Sequence, residues 1–244
     1  FLIKVPPMYG PNFAGSVATG FQRPGKYLGL RPVFLPTREL LSIYPGFVSL
    51  YETTHLAFEE TWRDTAILLG APLIRKVGET TEKELLDPLE KAMGGRLELD
   101  EAGRFYLNGP IGKVEIHLLA EGLRKLATLA RLIANGTLRE NGYLIWDEPE
   151  SNLNPKLVKL IARAILELSS QGVQVFIATH SLFLMRELFI LQQTEFTKLD
   201  TRCFGLQDNS DGVEVRQGPS IDDVGQIAAL DEDLLQSERY MDIP

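Results

Sequence analysis

The chain has 244 residues, 44% of them apolar and 24% charged, with a formal charge of −8 at neutral pH. That length can bury one substantial core with a smaller lobe attached, and the composition is globular rather than disordered or fibrous. No apolar run reaches the length of a membrane span and none reads as a signal peptide, so the expectation is a cytoplasmic protein without membrane contact. The single Cys203 excludes an intrachain disulfide framework and fits a reducing compartment. The negative charge weighs against a surface broadly adapted to nucleic acid, while leaving room for a local basic patch.

Phe1 to Val5 can form a strand, and Pro6, Pro7, Gly10, Pro11, Gly15, Gly20, Gly25 and Gly29 then supply turn chemistry. Gly10-Pro11-Asn12-Phe13-Ala14-Gly15-Ser16 has the glycine interval of a phosphate-binding loop and a serine behind the second glycine. It lacks the lysine that such a loop uses to hold phosphates. Val33-Phe34-Leu35 reads as a short strand before Pro36-Thr37-Arg38-Glu39. Helical apolar spacing over 38–43, 49–70 and 80–93 is punctuated at Pro45-Gly46, Gly70 to Pro72 and Gly94-Gly95, which predicts a helical lobe. Phe58, Trp62, Leu68 and Leu69 are read as its core, and His55 as structural or exposed. Residues 96–107 alternate around Asp100-Glu101-Ala102-Gly103, a hairpin signal. Lys113 to Leu118 is a further alternating strand with His117 on its polar phase, facing solvent or else a nucleotide or a partner.

The second half carries the chemistry. Leu119-Ala120-Glu121-Gly122 opens a helical run to Ala134, and a helix start offers unpaired N–H groups and a positive dipole end suited to phosphate. Tyr143 to Trp146 is an apolar strand ending in Asp147-Glu148-Pro149-Glu150. A buried strand has little use for acids, so the pair is expected at its carboxyl end, where open α/β sheets place their sites. Two such carboxylates suit Mg²⁺-assisted phosphoryl transfer, one holding the metal and the next orienting or deprotonating water; the same residues also suit a plain strand cap. Asn154-Pro155 fits helix entry, and Leu157, Leu160, Ile161, Ala164, Ile165 and Leu168 form the packing stripe of the helix that follows. Gly172 then leads into Val173 to Thr179 and His180, a strand-end histidine able to donate to a γ-phosphate or to cap the helix from Leu182. Residues 201–206 and 213–216 read as a terminal hairpin, with Cys203 a small buried hydrophobe. From Ser220 onward the chain is acidic, and Asp231-Glu232-Asp233 is read as solvated surface. The three histidines and one cysteine have no zinc-ligand spacing.

The order of these stretches resembles the C-terminal half of an ABC-type ATPase head. The resembling branch includes the SMC, Rad50, RecF and overcoming-lysogenisation-defect ATPases, and within it the compact AAA-type ATP-binding proteins of bacterial anti-phage defence. Ala120 to Lys125 corresponds to the signature loop, Tyr143 to Glu148 to the Walker B strand, Ser151 to Pro155 to the D-loop and His180 to the switch histidine. Glu121 departs from the glycine or serine usual in the signature loop. The resemblance implies an α/β, P-loop NTPase-like fold with a mixed sheet, a helical insertion lobe and a C-terminal hairpin. It divides the chain into an N-terminal remnant of the ATPase core (1–48), the lobe (49–95), the core with its motifs (96–217) and an acidic tail (218–244).

The resemblance further implies ATP and Mg²⁺, with the metal on Asp147 and catalysis by Glu148 and His180. Ala120, Glu121, Gly122, Arg124, Asn152 and Asn154 would contact nucleotide across a head-to-tail dimer, or higher oligomer, that sandwiches ATP. Three readings of the phosphate loop stay open: it lies in sequence outside these residues, Gly10 to Ser16 is a degenerate version, or that stretch is an ordinary loop. Gln22 is the candidate γ-phosphate-sensing glutamine of the same region. The leading functional expectation is an ATP-hydrolysing head that regulates a separate effector, a toxin or nuclease, in anti-phage defence. A non-hydrolysing scaffold holding such a partner is one alternative, and a DNA-repair or DNA-processing head is another. The absence of a heptad array disfavours an SMC or Rad50 arm.

Overall fold

A computed structural model describes residues 2–5, 32–54, 56–74, 80–139, 142–210 and 212–243. The glycine-spaced stretch Gly10 to Ser16, Gln22 and His55 lie outside these described residues. In chain order the described elements begin with β1 (Leu2–Val5), β2 (Val33–Leu35), α1 (Tyr44–Thr53), α2 (Glu60–Gly70) and α3 (Thr80–Met93). Next come β3 (Arg96–Leu99), β4 (Phe105–Gly109), β5 (Gly112–Glu115), α4 (Glu121–Ala134), β6 (Tyr143–Asp147) and α5 (Pro155–Ser170). The chain finishes with β7 (Gln174–Ala178), α6 (Leu182–Thr194), β8 (Arg202–Asn209), β9 (Gly212–Gly218) and α7 (Ala228–Met241).

The large sheet has the order β2-β6-β7-β1-β8-β9. β2, β6 and β7 run parallel, and the remaining neighbours pair antiparallel, so the sheet is mixed. Period-2 alternation decides which residues face the core. Val33, Leu35, Leu144, Trp146, Val175 and Ile177 are all buried, whereas Ile145, between two of them, points to the other face and is 38% exposed. α5 covers the buried face with Val158, Ile161, Ala162, Ile165 and Leu168. Each fully buried leucine or isoleucine of this kind contributes roughly 1.5–3 kcal/mol relative to exposure. The same core runs on without a break through Leu69 of α2, Leu85 and Leu89 of α3, and Leu126 and Leu129 of α4. The antiparallel sheet β3-β4-β5 joins it through Leu97, Phe105 and Leu107. The fold is therefore α/β, with a mixed sheet, helices packed against one face of its parallel half and a C-terminal hairpin, β8-β9, at its edge.

Several element boundaries differ from the sequence expectation, each for a local reason. Residues 38–43 form bends and turns instead of a helix, because Leu40 and Leu41 are both buried in irregular chain. Glu39 accepts from the backbone N–H and hydroxyl of Ser42 at 3.1 and 2.6 Å, which fixes that turn. Pro45 and Gly46 take non-helical backbone angles within α1. The run 49–70 divides into two helices, α1 ending at Thr53 and α2 starting at Glu60. Leu69 is fully buried as expected, but Phe58 is 43% exposed and stacks at the surface against Trp62, ring centres 5.0 Å apart. The strand expected over 113–118 stops at Glu115, and Ile116–Leu118 make a turn of 3-10 helix. The acidic tail forms α7, which contains no buried residue. Among the described residues no helix is long and apolar enough to cross a membrane.

β1 bears directly on the site. It pairs antiparallel to β7, with Leu2 opposite Ala178 and Val5 opposite Val175. The chain therefore leaves β1 at the edge of the sheet opposite to the one where β6 and β7 end.

Candidate functional site

β6 and β7 end side by side, Asp147 in register with Ala178. The ladder extends one residue further through the Glu148 N–H, which donates to the Ala178 carbonyl at 2.9 Å. At Glu148 the backbone turns into the left-handed region, φ +48°, and it does so again at Asn152, φ +63°. Non-glycine residues adopt this region at a cost, and such outliers concentrate at functional sites. The turn sends the Glu148 side chain toward the end of β7, where its Oε1 lies 2.8 Å from His180 Nδ1. Asp147 stays with the sheet, and its Oδ2 accepts from the Thr37 hydroxyl at 2.6 Å. Thr37 stands just beyond β2, so three neighbouring parallel strands supply one constellation, Thr37, Asp147-Glu148 and His180.

The loop after β6 is fastened from below. Lys125 of α4 is 3% exposed and donates from Nζ to the Glu148 carbonyl at 2.9 Å and to the Ser151 hydroxyl. Burial holds the Lys125 ammonium below the usual lysine range, opposed by the nearby charges of Glu121, Glu150, Glu148 and Asp147. Ser151 Oγ in turn donates to the Glu148 carbonyl at 2.9 Å. Glu150 turns inward, where its Oε1 accepts from the Thr179 hydroxyl while its Oε2 is buried with no hydrogen-bond partner. Burial raises its carboxyl above the ordinary range for glutamate.

The other sequence-nominated residues lie along the start of α4 and the loop leading to α5. Ala120 is exposed and precedes α4, and Glu121 is its first residue. A methyl group on Gly122 would stand 2.7 Å from the Asn152 carbonyl oxygen and 2.8 Å from Leu153 Cδ2, so the missing side chain lets α4 lie against the loop after β6. Arg124 faces its own chain: Nε donates to Glu39 Oε1 at 2.6 Å and NH1 to the Leu119 carbonyl at 2.6 Å. Asn152 is exposed, and Asn154 caps α5 by accepting from the Leu157 N–H at 3.1 Å. His117 is exposed 3.3 Å from Glu115, in the 3-10 turn that replaces the end of the expected strand.

Thr37 and Glu150 are residues that motif reading passed over. Lys125, in the sequence a positive charge in the signature loop, is instead buried under the loop after β6, and helical periodicity cannot say that a cation one position from the apolar stripe is buried. Three acids within four residues, however, need a counter-charge, and that was a usable signal. Thr37 carried none, since its part depends on β2 lying next to β6.

A family model described as "AAA domain, putative AbiEii toxin, Type IV TA system" matches residues 36–186, more than half of the chain. No curated protein matches. Among solved structures, an Smc head domain with an extended coiled coil bound to the C-terminal domain of ScpA, from Pyrococcus furiosus, is 17% identical with a TM-score of 0.41. That match covers 65% of this chain and 37% of the other. A structure described under "ATP-driven dimerization and DNA stimulated activation of SMC ATPases" is 16% identical with a TM-score of 0.42, covering 65% of this chain and 93% of the other. An SmcHead bound to the C-winged helix domain of ScpA is 17% identical with a TM-score of 0.43, covering 75% and 50%. The chain thus spans well under two thirds of the first and third of these structures.

Proposed function

Because this chain belongs to the AAA-domain family of AbiEii type, we propose that it is an ATP-binding and ATP-hydrolysing head that closes on a second copy around nucleotide and regulates a partner effector in anti-phage defence. The observation that carries this reading is the meeting of Asp147, Glu148 and His180 at the shared carboxyl edge of β6 and β7, with Glu148 already 2.8 Å from His180. Asp147 beside the Thr37 hydroxyl is an oxygen-only donor pair, which fits a hard cation such as Mg²⁺. When bound there, Mg²⁺ supplies neutralisation of the phosphate charge that develops during transfer. Glu148 orients the attacking water and accepts its proton, and His180 donates a hydrogen bond toward the terminal phosphate. Ala120, Glu121, Asn152 and Asn154 form the surface that one head presents to the nucleotide of the other, with Gly122 and Arg124 shaping it from behind. Within it Arg124 keeps the loop's shape through Glu39 and the Leu119 carbonyl.

A non-hydrolysing scaffold that holds a toxin or nuclease partner is the second reading, and the lack of a phosphate-holding lysine in the glycine-spaced stretch Gly10 to Ser16 favours it. ATP binding and turnover by the full-length gene product, measured beside Glu148→Gln, separate the two. Trapped ATP, a tighter dimer and lost turnover in Glu148→Gln are the outcomes expected of a hydrolysing head. Failure of both proteins to bind ATP would leave the scaffold.

A further inference from the structure

Glu150 is the residue that the ATPase reading leaves without a task. Its Oε2 is a buried acceptor with no hydrogen-bond partner, an arrangement that costs free energy unless something occupies it. Donor atoms of Glu148, Glu150 and His180 lie within 4.8 Å of one another. Two donors on one ion at about 2.1 Å stand roughly 3–4 Å apart, so a side-chain shift of about half an ångström closes the set around a cation.

The cleft that these three residues line is walled on its far side by α7, through Ala229, Glu232 and Asp233. Those positions, i, i+3 and i+4, share one helix face, and that face is acidic. The cleft thus carries four carboxylates and one imidazole. Lys125 is turned to the Glu148 carbonyl and Ser151, and no lysine or arginine is among the described residues that line the cleft. Such a wall attracts a divalent ion.

From this geometry we infer a second metal site, next to Asp147 and separate from it, in which Glu148, Glu150 and His180 bind a transition-metal dication of the Mn²⁺ or Zn²⁺ class. One imidazole with two carboxylates is a mixed donor set that suits these ions better than Mg²⁺, whose preference is for oxygen alone. His180 would ligate through Nδ1, the ring nitrogen that already faces Glu148 Oε1 at 2.8 Å. Glu232 and Asp233 add long-range attraction without needing to be ligands. Resting on the proposed ATPase role of Glu148 and His180, the consequence is regulatory: an ion on these residues withdraws the water-activating carboxylate, and the loaded chain does not turn over ATP.

The site is tested without nucleotide, so that its failure is distinct from failure of the ATPase reading. Mn²⁺ is titrated calorimetrically into the chelator-treated full chain. One saturable site is expected, weakened at least tenfold in Glu150→Gln and in His180→Asn and unchanged in Asp147→Asn, with circular dichroism checking that each variant is folded. Pulsed electron paramagnetic resonance of Mn²⁺ on the unaltered protein is expected to show nitrogen coupling from the imidazole, a readout that depends on no variant. Absence of saturable binding, absence of nitrogen coupling, or equal affinity in all three variants overturns the proposal. So does loss of binding in Asp147→Asn, which would put the ion on the phosphoryl-transfer side.

Discussion

Thr37 and Asp147 show how much of the site depends on single hydroxyls and carbonyls. Asp147 lies at the end of an apolar strand, and the 2.6 Å bond from Thr37 fixes which way its carboxylate faces. Hydrogen bonds to charged groups contribute about 1.5–3 kcal/mol, more than neutral ones. Thr37→Val keeps the shape and removes the donor. On the ATPase reading it should lower turnover by about tenfold and raise the Mg²⁺ concentration needed for half-maximal rate, since about 1.4 kcal/mol is a factor of ten. An Mg²⁺ titration of turnover checks this, and an unchanged requirement would show that Thr37 does not orient the metal-holding carboxylate. At this scale Asp147, Glu148 and His180 were legible because acids and a histidine at the ends of apolar strands have few other uses. Thr37 was silent, because a threonine in a Pro-Thr-Arg-Glu loop has many uses and only strand order selects one.

Among the elements, α4 and α5 are held together by a contact that sequence spacing half revealed. The helix from Glu121 to Ala134 was readable from its apolar run, and the capping role of Asn154 was readable from Asn154-Pro155. That Gly122 lies directly under the Asn152 carbonyl was not, because the contact joins the first turn of α4 to a loop thirty residues further along the chain. Gly122→Ala places a methyl group 2.7 Å from that backbone oxygen, so either α4 or the loop after β6 must shift. Overpacking of this kind costs typically ~1–3 kcal/mol. The expected result is a melting temperature lower by several degrees and weaker ATP-dependent dimerisation, checked by thermal melting and by sedimentation with and without nucleotide. A variant that melts normally yet fails to dimerise would place the effect on the partner-facing surface alone. The helix boundary at 38–43 misled because two adjacent buried leucines, Leu40 and Leu41, imitate helical spacing inside a turn held by Glu39.

Over the whole molecule, the strands β2, β6 and β7 were legible as apolar runs and the C-terminal hairpin from its turn residues, whereas the sheet order was not. Nothing local says that β1 inserts antiparallel between β7 and β8, since pairing partners are chosen by which faces must be covered. Cys203 of β8 reports on the integrity of that assembly. It is 5% exposed and lines a small apolar cavity together with Ile165, Ile177 and Leu188, between the hairpin and α5, β7 and α6. Burial pushes its thiol from the ordinary 9.0 up to about 11. The thiol is an acid whose folded-state pKa lies above its unfolded value, so from about pH 9 to 11 the unfolded chain releases the proton first. The unfolded state then binds fewer protons than the native one, and stability must fall as pH rises through that window. Cys203→Ala removes this linkage while leaving every other titrating group in place. Urea unfolding across the window should therefore show a steeper loss of stability in the unaltered protein than in Cys203→Ala, and below pH 9 the thiol should resist alkylation until the chain unfolds globally. Parallel slopes, or rapid alkylation of the folded protein, would mean that the hairpin opens from the sheet on its own and that β8 is not part of one cooperative unit with the site.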